Sequence, residues 1–168
     1  MKKFVLNSFF FLLITGCGST IQPINGDYIF EDPYYYGVIN KNLIMNHDGY
    51  PWFSKQYDKY EPDTNQLKQM KYDEIKIIIF MGTWCHDSKR EVPRMFKILN
   101  KINFDDNNIN IVALKKNKKG YFNNYDSFNI TNTPTFIFYK ENKELGRIIE
   151  RPKTTLENDL YQFINTHQ

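Results

Sequence analysis

The sequence predicts an α/β protein of three layers, with helices packed on a mixed central sheet, on three observations. Apolar runs of strand length stand at Ile77-Ile78-Ile79-Phe80-Met81 and at Asn110–Leu114. Between them Val92, Met95, Phe96, Leu99 and Ile102 recur at helical spacing. Strands separated by an amphipathic helix pair in parallel through a crossover. Near the C-terminus Thr135–Tyr139 and Glu144–Glu150 flank the tight turn Glu141-Asn142-Lys143, the pattern of an antiparallel hairpin. A chain of 168 residues, 41% apolar and 17% aromatic, suits one such domain with an N-terminal extension.

Taken from the start, Lys2 and Lys3 precede a short apolar stretch, Phe4–Ile14, broken only by Asn7 and Ser8. It is too short for an ordinary membrane-spanning helix and has the charged-then-apolar layout of a secretory signal. Its end, Leu13-Ile14-Thr15-Gly16-Cys17, resembles the bacterial lipobox. That resemblance implies a signal peptide of residues 1–16, lipid on the Cys17 sulfur, and a mature protein membrane-anchored outside the cytoplasm, facing the periplasm. Residues 17–51 read as tether and aromatic-rich extension, and 52–168 as the domain. Tyr28, Phe30, Tyr34, Tyr35, Tyr36, Tyr50, Trp52, Phe53, Tyr57 and Tyr60 crowd residues 28–60, with Pro33, Gly37, Gly49 and Pro51 interrupting them. This region is expected to lack long regular elements and to pack on the domain as a strap, or to offer an aromatic binding surface.

The remaining elements follow from local signals. Asp63 with Gln66 three residues on has the form of a capping box, giving a helix over 63–72. A strand over 75–81 then hands over to a helix from Cys85 to about Lys101. Residues 119–129 read as a short helix or turn. Pro152 stops the last strand, and Thr154 or Thr155 caps a final helix to about Asn165, with Leu156, Leu160, Phe163 and Ile164 facing inward.

The net charge of +3 is modest and spread along the chain, with no basic stripe interleaved with aromatics, which excludes nucleic-acid recognition. Lys115-Lys116-Asn117-Lys118-Lys119 reads as a solvated loop, and His47 and His167 as surface residues.

The chemistry concentrates at Trp84-Cys85-His86-Asp87-Ser88, where the buried strand meets the helix. A cysteine at a helix N-terminus lies against unpaired N–H groups and the positive end of the dipole, which favour the nucleophilic thiolate. With Cys17 carrying lipid, Cys85 is the one free thiol, so no internal disulfide is expected. His86 is placed to shuttle a proton or, charged, to favour the thiolate; Asp87 opposes it. The plainer alternative makes Asp87 a first-turn helix residue and turns His86 to solvent. Lys89, Arg90 and Arg94 read as a solvated helix face or an electropositive surround. Cys85 and His86 are adjacent without a third ligand, so neither metal nor cofactor is expected.

Three motifs together resemble the thioredoxin-like family, closest to its extracytoplasmic lipoprotein type, over about residues 52–166. Trp84-Cys85-x-x-Ser88 stands where the family has Trp-Cys-x-x-Cys. Pro93, eight residues past Cys85, matches the proline of the active-site helix, and Thr133-Pro134-Thr135-Phe136 matches the loop whose proline is cis. The resemblance implies a thioredoxin-like α/β/α sandwich in which the backbone of Thr133 pairs with an extended substrate beside Pro134, and Trp84 walls the site. It breaks at Ser88, which has no second sulfur, and at Ile79, where the family carries a buried carboxylate; a family lysine aligns with Leu114. Those departures imply a monothiol C-x-x-S mechanism: Ser88 donates a hydrogen bond to the Cys85 thiolate, which attacks a substrate disulfide and forms a mixed disulfide as the other sulfur leaves, the partners being protein or small-molecule thiols and disulfides. The rival reading is a redox-inactive module that binds extended peptides in the same groove; sulfenic-acid sensing of peroxide is a third. A monomer is expected in each case.

Overall fold

In the computed structural model of the chain, the described residues are 26–118 and 125–166. The signal segment, Cys17, nearly all of the tether, residues 119–124 and His167 lie outside them. Among the described residues the order is β1 (Tyr28–Glu31), β2 (Tyr34–Ile39), α1 (Lys41–Met45), α2 (Trp52–Lys59), β3 (Ile75–Met81) and α3 (His86–Lys101). Then come β4 (Ile109–Ala113), β5 (Thr135–Lys140), β6 (Lys143–Ile149) and α4 (Leu156–Asn165).

The strands make one mixed sheet in the order β1-β2-β4-β3-β5-β6. β3 and β4 are parallel, joined through α3, and register Ile79 against Ile111. Every other neighbouring pair is antiparallel. The mixed α/β fold expected from the sequence is therefore present. The β5–β6 hairpin closes through Glu141 and Asn142, both at positive φ, 49° and 66°. Two such residues form the tight turn whose twist matches that of the flanking strands.

Alternation decides the two faces of the sheet. Ile75, Ile77, Ile79, Met81, Ile111, Ala113, Phe136 and Phe138 point to one side, where Ile44, Phe53, Val92, Met95, Phe96, Leu99, Leu156 and Leu160 from the four α-helices meet them. Ile78, Phe80, Val112, Leu114, Ile137 and Tyr139 point to the other. There the described cover is thin: the 3-10 helix Tyr125–Phe128 and Ile130. Arg147 pins it by donating to the Phe128 carbonyl at 2.9 Å while forking onto Glu144.

Two regions differ from the sequence reading. The capping box at Asp63 does not open a helix over 63–72. Asp63 Oδ1 accepts from the Asn65 N–H at 3.1 Å, two residues on, and only Leu67–Gln69 form a single 3-10 turn. Leu67 is the one residue of that segment whose side chain enters the core fully, too little burial to sustain a helix. Residues 28–39, read as a strap, instead supply two strands, and β2 extends the sheet by pairing with β4. Gly37 permits this, because its φ of 102° and a Cβ only 2.4 Å from the Asp27 carbonyl oxygen leave room for no other residue.

The end of α4 settles the two alternatives for its cap. Thr155 is the N-cap, accepting from the Asn158 N–H at 3.2 Å, while Thr154 bonds Asp159.

Candidate active site

Cys85 is the N-cap of α3. Its backbone is extended, φ −80° and ψ 128°, and its carbonyl accepts the first helical bond from Lys89 N–H at 3.0 Å. The α-helix then runs through Pro93 to Lys101 with Val92, Met95, Phe96 and Leu99 buried. The Cys85 side chain is half-buried, and its thiol donates to the Thr133 carbonyl at 3.1 Å. The Thr133–Pro134 peptide bond is cis, as is Asp32–Pro33. Thus the start of α3 and the loop before β5 bring together Cys85, Thr133 and Pro134 across 48 positions of sequence.

Trp84 is fixed by two contacts. Its indole N–H donates to the Leu114 carbonyl at 2.7 Å, beyond the end of β4. Its ring lies across Gly82, where an added Cβ would be 2.5 Å from the indole Cε2. Leu114, which the resemblance aligns with a family lysine, is wholly buried and serves here through its backbone.

Ser88 is wholly buried, and its hydroxyl accepts from the Gly82 N–H at 3.1 Å. Among the described residues no hydrogen bond joins it to Cys85. Ser88 therefore braces the loop that carries the thiol. His86 points outward, its side chain 89% exposed, with Nδ1 4.0 Å from Asp87 Oδ1. Asp87 pairs with Arg90 at 2.7 Å and lies 3.6 Å from Arg151, which reaches over from the end of β6. Burial opposes the Arg90 charge, but the Glu91 and Asp87 carboxylates outweigh it and hold the guanidinium above its ordinary value. Arg90 and Arg94 of this helix are thus paired with carboxylates, which reduces the positive field they put at the thiol.

Among the described residues no three His, Cys, Asp or Glu side chains converge on a point where a metal ion would sit.

A family model described as Thioredoxin matches residues 39–161. The chain belongs to the thioredoxin family. No curated protein sequence matches it. Among solved structures, a Pseudomonas aeruginosa protein of unknown function superposes with a TM-score of 0.51 at 14% identity, covering 77% of this chain and 89% of that one. Thioredoxin O1 of Arabidopsis thaliana in its oxidized state gives 0.42 at 18% identity, over 74% and 93%. A Fasciola hepatica thioredoxin gives 0.39 at 19% identity, over 56% and 82%. At these identities the likeness concerns the fold.

The thioredoxin-family frame also exposes what sequence reasoning missed. Thr83, wholly buried between Gly82 and Trp84, accepts from the Tyr35 N–H of β2 at 3.2 Å. A threonine between two strong motifs carries no periodic signal, and its partner lies 48 positions away. His47, read as a surface residue, is half-buried and stacked on Tyr50 with ring centroids 4.4 Å apart, with Phe30 and Tyr35 on its other sides. The aromatic density of residues 28–60 resolves largely into internal packing of this kind.

Proposed function

We propose that this protein is an extracytoplasmic bacterial lipoprotein, anchored in the membrane through lipid on Cys17, that exchanges thiols and disulfides through Cys85 alone. One observation carries the reading: Cys85 is the N-cap residue of α3, and its half-buried thiol lies 3.1 Å from the Thr133 carbonyl beside cis-Pro134. Membership in the thioredoxin family supports it.

In this mechanism Cys85 gives up its proton to water, with exposed His86 available to carry it, and the bond to Thr133 is released. The thiolate attacks one sulfur of a substrate disulfide; a Cys85–substrate disulfide forms, the substrate's S–S bond breaks, and the second sulfur leaves as a thiolate that takes up a proton. A further thiol, from the same substrate or a small molecule, then attacks the mixed disulfide and regenerates Cys85. Electrons are exchanged between thiols and disulfides with no net oxidant, which suits isomerisation or reduction by an external thiol. Trp84 supplies the apolar wall, and the Thr133 backbone is positioned to pair with an extended substrate. Ser88 holds the loop through Gly82. The partners are protein or small-molecule thiols and disulfides, and the protein acts as a monomer.

The test is trapping of mixed disulfides from cells expressing the full-length chain. Wild-type protein should give adducts that thiols reverse, and Cys85→Ala none; adducts that persist in Cys85→Ala would sink the exchange reading. Radiolabelled fatty acid should enter wild-type protein and not Cys17→Ala, and equal labelling of both would remove the anchor.

A second reading is favoured by two residues. Ile79, at the position of the family's buried carboxylate, is wholly buried in the apolar core, and the Ser88 hydroxyl is occupied by Gly82. A domain without a resolving sulfur or a proton-relaying carboxylate suits a peptide-binding module. On that reading wild type and Cys85→Ala bind an extended peptide equally and neither forms adducts.

A further inference from the structure

The loop that faces the Cys85 thiol is bracketed by two cations whose hydrogen-bonding capacity is largely unused. On one side the Lys118 ammonium donates to the Asn132 side-chain oxygen at 3.2 Å, immediately before Thr133. Asn132 is itself fixed, because its carbonyl accepts from the Thr135 hydroxyl at 2.7 Å. On the other side the Pro134 carbonyl accepts from the Glu150 N–H at 2.7 Å, and Arg151 is the next residue. Nη2 of Arg151 then lies 3.6 Å from Asp87 Oδ1, two positions past Cys85.

Neither charge is neutralised where it stands. An ammonium has several donors, and among the described residues Lys118 uses one of them, on a neutral amide, with no carboxylate partner. Asp87 gives its closer contact to Arg90, at 2.7 Å, so Arg151 sits beyond hydrogen-bond distance with its side chain 71% exposed. Among the described residues Glu150 forms no ion pair with either cation. Arg90 and Arg94, by contrast, are mostly covered and paired with Asp87 and Glu91. Open positive charge therefore stands on both shoulders of the Thr133–Pro134 backbone, one of them supplied by the Lys115–Lys119 run that reads from sequence as a solvated loop.

We infer that this rim selects the substrate: Cys85 exchanges with disulfides that carry carboxylates beside the sulfur, and Lys118 and Arg151 are the specificity-determining residues. This rests on the reading of Cys85 as the nucleophile. An extended chain laid along Thr133 sends alternate side chains to opposite sides, so its flanks pass the two shoulders. An acidic flank meets the guanidinium fork of Arg151, which matches a carboxylate with two parallel hydrogen bonds, and the point charge of Lys118. A basic flank meets like charge at both.

The test uses three peptides alike except that their single cysteine is flanked by glutamate, glutamine or lysine, each carried as the 2-thiopyridyl disulfide. The Cys85 thiolate attacks the peptide sulfur, a Cys85–peptide disulfide forms, and pyridine-2-thione leaves with the proton that Cys85 gave up. Rates are read in the full-length chain by mass spectrometry on the peptide containing Cys85, and divided by those of 2-mercaptoethanol, a free thiol without the rim. The glutamate peptide should react about tenfold faster than the lysine peptide, with glutamine between them. Arg151→Gln and Lys118→Gln should each lower that ratio about threefold, and the double variant should bring it close to unity. Arg151→Lys, which keeps the charge, should retain most of it. About 1 M salt, where the screening length is about 3 Å, should erase it. A wild-type ratio within about twofold of unity, or a ratio that the double variant leaves unchanged, would overturn the inference. Glutathione carried as the same 2-thiopyridyl disulfide separates the two sources of such a substrate. A rate equal to that of the glutamate peptide assigns the rim to small anionic disulfides, and a slower one to extended acidic peptides. No modification of Cys85 by any peptide would defeat the exchange reading and this inference with it, whereas equal rates with all three defeat the inference alone.

Discussion

The Cys85 thiol donates to the Thr133 carbonyl across 3.1 Å, although 48 positions separate the two residues. A thiol can make this bond; a thiolate cannot, since it has no proton to give and faces a carbonyl dipole of the wrong sign. Ionisation therefore both creates the nucleophile and vacates the Thr133 carbonyl, which is the group an incoming strand of substrate would use. Under the proposed exchange reaction, activation of the sulfur and opening of the docking position are one event.

Ser88→Ala should destabilise the protein by about 1–3 kcal/mol, because it leaves the buried Gly82 N–H without an acceptor. Urea unfolding of the two chains checks this. An unchanged midpoint would mean that the Ser88 hydroxyl does not brace the loop.

Gly82→Ala should move the Trp84 ring. The new Cβ would lie 2.5 Å from indole Cε2, closer than any real contact, so the ring must swing out and release the Leu114 carbonyl. The expected cost is about 1–3 kcal/mol, as for other overpacked sites. The emission of Trp84 should shift to longer wavelength, measured with Trp52→Phe as background.

Tyr60→Phe should cost about 1–3 kcal/mol by stripping the buried Glu157 carboxylate of the hydroxyl that bonds it at 2.9 Å. Burial first, and then Glu157, hold the Tyr60 phenol well above its ordinary value. Combining Tyr60→Phe with Glu157→Met should cost less than the sum of the two single changes, since the charge left unpaired is then removed. Additive losses would show that the pair is not coupled.

Stability should fall in strong alkali through Tyr72 and Tyr125. Burial pushes both phenols up from 10 to about 12. The folded chain therefore holds these protons more tightly than the unfolded chain. Their contribution is complete below about pH 10, the unfolded value, and is lost as pH rises through about 12. Urea midpoints taken across that interval should decline, and decline less in Tyr72→Phe. An equal decline in that variant would clear Tyr72 of the effect.

Much of this was legible in the sequence. Helix α3 declared itself because five apolar residues fall on one face and are buried as a set. β3 and β5 did so because buried strands read as continuous apolar runs. The Glu141-Asn142 turn and the final helix were marked by local residues acting on their own backbone. Signals of that range fail where the partner is distant. β2 forms because β4, more than seventy positions away in sequence, offers it an edge, and nothing within Tyr34–Ile39 announces an antiparallel neighbour. Asp63 illustrates the opposite error: its side chain satisfies a nearby N–H as a capping residue should, but with Leu67 the one fully buried apolar side chain of the segment, a turn suffices. At the site, the sequence placed Cys85, Trp84 and Thr133-Pro134 together. The orientation of Ser88 depends on where the Gly82 N–H points, a detail of backbone course that residue spacing does not carry.

The pairing of β2 with β4 bears on where the chain can be cut. A fragment beginning at Trp52 would strip the shield from Ile111, Val112 and Ala113, whose outward N–H and C=O groups are engaged by Gly37, Val38 and Ile39. An apolar strand with a bare edge recruits strands from other molecules. Such a fragment would therefore clump even though it retained Cys85 and Thr133-Pro134, and a well-behaved soluble piece should start no later than Gly26.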